Sequence, residues 1–177
     1  MTMTRRAKGL PLTIKNLDFL VFAASYDDID KFHIFMKDFK SHNETFEKYA
    51  DILCAKITPE KDSFDFFVHV PSSNPERTNF SLKLAELISK KLGKPLNNAA
   101  VKRIKQTKEL KTLPREDRHK EIEDSFCAVL KGGERICIID DVTASGATLG
   151  EIAKILKEAG ASFINAAVVA VYIPHSL

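Results

Sequence analysis

The residues with the clearest chemical potential sit in one stretch, Ile136-Cys137-Ile138-Ile139-Asp140-Asp141-Val142-Thr143-Ala144-Ser145-Gly146-Ala147-Thr148. Four apolar residues read as a buried strand, and two carboxylates stand at its end. A small-residue loop follows, then a helical pattern with Leu149, Ile152, Ile155, Leu156 and Ala159 mostly on one face. Such a loop binds anions, because its backbone N–H groups and the helix N-terminus carry partial positive charge. Gly146 permits unusual dihedrals and close approach, while Ser145 and Thr148 add hydroxyl donors. Asp140 and Asp141 cannot share that task, since carboxylates repel phosphate; they suit hydroxyl groups or a divalent cation. A ligand with both a phosphate and a vicinal diol satisfies the whole segment, and a sugar 5-phosphate is such a ligand. No Lys follows Gly146 and no G-x-G-x-x-G occurs, so the P-loop and the dinucleotide fingerprint are both excluded.

The rest of the chain must place this segment at a sheet edge. Leu17–Ala24 reads as a buried strand, followed by a helix capped by Asp27 or Asp28 with Ile29, Phe32, Met36 and Phe39 on its apolar face. Ser41-x-x-Glu44 has the form of a capping box for a second helix with Phe46, Tyr49, Ala50, Leu53 and Ile57 inward. Phe64–Val70 reads as a second strand, stopped by Pro71. A third helix carries Phe80, Leu84, Leu87, Ile88 and Leu92 and closes at Gly93 and Pro95. Short strands are expected over Ala99–Ile104 and Ser125–Leu130, and strong ones over Arg135–Asp140 and Phe163–Ile173, with a helix over Ala147–Ala159. Strands alternating with helices predict an α/β domain of three layers, α/β/α, with a mainly parallel central sheet. Ligands of such sheets bind beyond the carboxyl ends of the strands, where Asp140 and Asp141 fall.

Composition narrows the class. The chain has 177 residues, 44% of them hydrophobic and 29% charged, which argues for a globular domain and against disorder. Residues 1–16 read as a flexible basic arm and 17–177 as one domain. Three scattered cysteines make no C-x-x-C pair, so a zinc ribbon or a disulfide framework is not expected. The longest fully apolar run, Ala166–Ile173, is too short to span a bilayer, and no apolar leader follows Arg5, Arg6 and Lys8. The expectation is a cytoplasmic protein without a membrane partner. The net charge is +3, yet residues 102–120 hold eight Lys or Arg against three acids. The positive charge is therefore local, and it points to an anionic partner at one place.

The thirteen residues from Ile136 to Thr148 resemble the phosphoribosyl pyrophosphate signature of type I phosphoribosyltransferases. Thr143 stands where an aliphatic residue is usual, and Ala144 replaces a common Thr. The resemblance implies that Asp140 and Asp141 hold the ribose hydroxyls. It implies that Thr143, Ala144, Ser145, Gly146, Ala147 and Thr148 line the sugar-phosphate site, the last five around the 5-phosphate. It also implies Mg²⁺ as cofactor, held mainly by the substrate with Asp140 and Asp141 nearby and no direct protein ligand set. Upstream, the chain is similar to the ComF-like branch: Arg103, Lys105, Thr107, Leu113, Arg118, Ile122 and Phe126 fall in that branch's order and spacing. Leu110 stands where Gln is expected and Glu121 where Asn is expected. His69-Val70-Pro71-Ser72-Ser73 matches the branch's Val-Pro loop, and Arg77-Thr78-Asn79-Phe80 loosely matches its R-G-F-N. The cysteine zinc module of that branch has no counterpart here.

Two further sites follow. The basic segment 102–120 takes the place of a mobile loop that closes over substrate and meets pyrophosphate, with Arg103 and Lys105 its best candidates; the plain alternative is a solvated charged loop. The loop holding Ser72, Ser73 and Arg77 reads either as a pyrophosphate-binding turn or as a simple strand-to-helix connection. Asp141, Arg103 and Lys105 are the expected catalytic residues. Cys137 and the twelve Phe read as core, with no base-stacking platform among the latter. The five His show no metal spacing. The expected activity is transfer of phosphoribose from phosphoribosyl pyrophosphate to an unknown nitrogenous base. A non-catalytic regulatory or competence-related module that binds the same compound or a nucleotide is the alternative. Nucleic acid is a weaker third partner, suggested by the basic arm, and a homodimer is a family expectation. A variable hood, drawn from residues 17–60 and Tyr172–Leu177, is expected to select the base.

Overall fold

The computed structural model describes residues 14–173. The residues Arg5, Arg6 and Lys8 of the expected basic arm, and residues 174–177 of the expected hood, lie outside this range.

A four-stranded sheet organises the chain. Its strands are β1 (Phe19–Tyr26), β2 (Phe66–His69), β5 (Arg135–Thr143) and β6 (Phe163–Tyr172). They lie side by side in the order β1-β6-β5-β2, every pair parallel. β6 occupies an inner position and is buried from Ile164 to Val171, apolar throughout except for Asn165, as befits a strand covered on both faces. Asp65 fixes the start of the β2–β5 pairing, because its carboxylate takes the Arg135 backbone N–H at 2.9 Å and its guanidinium at 2.7 Å.

β5 alternates between the two cores. Ile136 and Ile138 join a cluster with α5 (Ala147–Glu158), while Cys137 and Ile139 face the cluster built by α1 (Ile29–Ser41), α2 (Asn43–Ile57) and α3 (Phe80–Leu92). The three layers are therefore α1–α3, the sheet, and α5 with its neighbours. Those neighbours are a two-stranded antiparallel ribbon, β3 (Val101–Arg103) and β4 (Phe126–Ala128), and the five-residue helix α4 (Arg118–Ile122). Periodicity alone cannot tell that β3 and β4 leave the main sheet, since three residues carry too little pattern.

The caps refine the expected boundaries. Asp28 caps α1, accepting from the N–H groups of Asp30 and Lys31 at 2.9 and 3.0 Å. Asn79 caps α3, and Gly93 ends it in the left-handed region at φ 64°. The expected capping box at Ser41 is absent: Ser41 is still helical in α1, and His42 stands extended as the one-residue link to α2 without a side-chain cap. A helical serine cannot adopt the extended backbone that an N-cap needs.

Candidate functional site

The carboxyl end of β5 delivers the acids, and the turn after it delivers the cradle. Gly146 initiates α5 at φ 74° and ψ 3°, with no side-chain cap and no acidic residue in the first turn. A side chain at this position would meet Ile14, whose Cγ1 lies 2.8 Å from an ideal Cβ. Glycine is thus required both by dihedral and by space. Ser145 Oγ accepts weakly from the Ala147 N–H at 3.3 Å. The result is a helix N-terminus facing a cleft of about 440 Å³ lined by Thr143, Ala144, Ser145, Gly146, Ala147 and Thr148.

The two acids differ sharply. Asp140 is buried; Ser81 Oγ donates to its Oδ1 at 2.6 Å, and the Asp141 N–H donates to the same oxygen at 2.9 Å. Burial, then the neighbouring Asp141 charge, holds the Asp140 carboxyl well above the usual aspartate range. Asp141 is half-buried and ion-paired with Lys40, Nζ to Oδ2 at 2.7 Å. One carboxyl is therefore buried against a serine hydroxyl, and the other faces a cation from α1.

A second cleft of about 360 Å³ adjoins the first and shares Asp140 and Thr148 with it. It brings together Ser72, Ser73, Arg77, Arg103 and Asp141. Arg103 is half-buried, its guanidinium 4.4 Å from the centre of the Phe126 ring. Its N–H groups donate to the Pro71 carbonyl at 3.3 and 3.4 Å and to Thr107 Oγ1 at 3.1 Å. Burial pushes its pKa down, while the Asp140 charge pulls it back up. Arg77 pairs with Glu109 at 2.8 Å, which also takes Lys111 at 2.9 Å, so the loop after β2 is tied to the basic segment. Ser72 Oγ donates to the Asn74 carbonyl at 2.8 Å, which shapes that loop as a tight turn.

The basic segment divides. Leu110 and Lys111 separate the two clefts, and Arg118 reaches the cradle cleft. Arg115 donates to the Ala144 carbonyl at 2.7 Å and ties the segment onto the cradle. The Lys108 N–H is held by Glu121 at 2.8 Å, a use for the acid that stands where Asn was expected. Lys105 lines neither cleft; its ammonium donates to the Glu123 carbonyl at 3.3 Å. It extends from the residue two beyond Arg103, past the end of β3 and toward α4.

Four features escaped the sequence reading. Lys40 and Ser81 reach the acids from helices distant in the chain, with no local pattern to reveal them. Arg115 is one cation among eight in its segment. Phe32 does more than pack against the core: with Ile29, His33 and Tyr172 it walls the cradle cleft, its ring 5.2 Å from that of Tyr172. Ile29 is accordingly 42% exposed, and the inward face of α1 is Phe35, Met36 and Phe39. Cys137 is core as expected, its thiol pushed up by burial.

Among the described residues no helix is long and apolar enough to cross a membrane. No protein-family model matches the chain. It is 28% identical over 125 residues to competence protein F of Haemophilus influenzae, a match covering 66% of this chain and 55% of that protein. The chain thus spans about half the length of the curated relative it matches. The structure is similar to that of a purine phosphoribosyltransferase from Pyrococcus horikoshii, with a TM-score of 0.50 and 21% identity over 76% of this chain and 85% of the other. With its parallel sheet and the acid-and-cradle segment at one strand end, the chain has a phosphoribosyltransferase-like α/β fold and is similar in sequence to competence protein F.

Proposed function

We propose that this chain binds phosphoribosyl pyrophosphate and transfers its phosphoribosyl group to a nitrogenous base. One observation carries the reading: the Gly146 cradle, the two acids and Arg103 converge on two clefts that share Asp140. The first-turn amides of α5, the Ala147 N–H leaving its weak bond to Ser145 Oγ, take the 5-phosphate. Asp141 accepts from a ribose hydroxyl, and Asp140, fixed by Ser81, orients it. Ser72, Ser73 and Arg103 face the pyrophosphate. The C1–O bond then breaks toward pyrophosphate, and a ring nitrogen bonds to C1 from the opposite face. The protein contributes position and fixed charge rather than covalent chemistry. Closure of 102–120 onto the cradle through Arg115 excludes water from the oxocarbenium-like centre.

The donor chemistry fits Mg²⁺. Among the described residues there is no cluster of three or more His, Cys, Asp or Glu side chains, so Asp140 and Asp141 would stand nearby and leave the ligand positions mainly to the substrate. Bound there, Mg²⁺ supplies charge neutralisation of the departing pyrophosphate.

A second reading is favoured by the similarity to a competence protein: a module that binds the same compound without turning it over. Pyrophosphate release, measured with a panel of purine and pyrimidine bases in Mg²⁺, separates the two. Release with one base supports transfer. Saturable binding with no release on any base assigns the module.

A further inference from the structure

Lys40 stands in the last turn of α1, in the hood, where the mechanism so far gives it no task. Its ammonium lies 2.7 Å from Asp141 and 5.2 Å from the centre of the Phe80 ring. The lysine side chain is 39% exposed and the acid 15%, so the pair straddles the mouth of the cleft. Ion pairs with one partner open to water are weak and exchange readily. The same cleft holds Ser72, Ser73 and Arg103. Arg103 spends its donors on neutral acceptors, Pro71 and Thr107, and among the described residues no acid pairs with it directly.

These positions create a conflict that ligand binding resolves. In the free protein Asp141 faces a protein cation, whereas the proposed ligand presents it with a neutral hydroxyl. The same ligand brings several anionic oxygens into the cleft that Lys40 lines. A multiply charged diphosphate competes better for the ammonium than a single carboxylate does.

We infer that Lys40 is a pyrophosphate-binding residue of the hood, held on Asp141 in the free protein and handed to the diphosphate oxygens when phosphoribosyl pyrophosphate enters. The inference rests on the phosphoribosyl reading above. It makes α1 a reporter of occupancy, since its last turn contacts the acid before binding and the ligand after it.

The test uses Lys40→Met, which keeps an unbranched side chain beside Phe80 but removes the charge over its ring, and Lys40→Arg, which keeps the charge. Each is titrated calorimetrically, in Mg²⁺, with phosphoribosyl pyrophosphate and with ribose 5-phosphate, which shares the sugar and the 5-phosphate but lacks the diphosphate. Lys40→Met is expected to weaken the first compound about tenfold, the loss of one charge-assisted contact. The second stays within about twofold of wild type or tightens, as Asp141 is freed. Lys40→Arg recovers most of the loss. Equal losses for both compounds, or no loss for either, overturn the assignment while leaving the phosphoribosyl reading standing. Wild-type protein that binds neither compound overturns both.

Discussion

Gly146 offers the sharpest structural prediction. It sits at φ 74° with Ile14 Cγ1 2.8 Å from where a Cβ would stand. A left-handed backbone costs a non-glycine residue about 1–2 kcal/mol. Ile14 is 9% exposed and embedded in the α5-side cluster, so relieving the contact displaces packed core and adds about 1 kcal/mol. Gly146→Ala is therefore expected to lose about 2–3 kcal/mol, or roughly 5–10 °C in melting temperature for a chain of this size. If the backbone instead leaves the left-handed region, the first amides of α5 turn away from the cleft, and affinity for a sugar 5-phosphate falls at least about tenfold. Gly150 supplies the control. It lies inside α5, where a Cβ would find only ordinary contacts at 3.6 and 3.7 Å. Gly150→Ala is expected to stabilise the helix by about 0.5–1 kcal/mol and to leave affinity unchanged. Differential scanning calorimetry and ligand titration of both variants read these outcomes. A Gly146→Ala protein that melts and binds like wild type refutes the reasoning.

Three further outcomes are expected. Asp140 holds a proton in the folded chain at pH values where the unfolded chain has released it, so its contribution to stability declines as pH rises from the ordinary aspartate range toward the raised folded value. Asp140→Asn removes that titration: as pH rises from the ordinary aspartate range its melting temperature should gain on that of wild type, and a constant difference between the two contradicts the assignment. Ser81→Ala deletes the 2.6 Å donor to Asp140 and should cost about 1–3 kcal/mol, read by urea unfolding. Arg103→Met should weaken pyrophosphate binding about tenfold or more, whereas Lys105→Ala should leave it within about twofold; equal effects would sink the division of the basic segment.

Much of this architecture was legible because it is written in periods. Ile136 and Ile138 against Cys137 and Ile139 alternate on a strand, and Phe80, Leu84 and Ile88 recur on a helix, so the α/β class and the placement of Asp140 and Asp141 at a sheet edge followed from spacing. The cradle was legible for a different reason: only a small-residue turn with glycine lets backbone amides approach a phosphate. What was not legible depends on contacts between distant segments. Lys40 and Ser81 meet the acids only after three layers have packed. Phe32 looked like core because it keeps the helical stripe of α1, yet it lies at the sheet's open end, where its ring meets Tyr26 and Tyr172 and also borders the cleft. Arg103 and Lys105 are two residues apart, but the end of β3 sends one into the site and the other toward α4. Charge counting sees a segment; it does not see which way each side chain turns.

The most direct measurement is a calorimetric titration of phosphoribosyl pyrophosphate in Mg²⁺ into the wild-type chain and into Asp141→Asn. A saturable one-site isotherm is expected for the wild type and its loss in the variant, with both proteins folded by circular dichroism. Absent heat in the wild type, or an unchanged isotherm in Asp141→Asn, contradicts the phosphoribosyl reading.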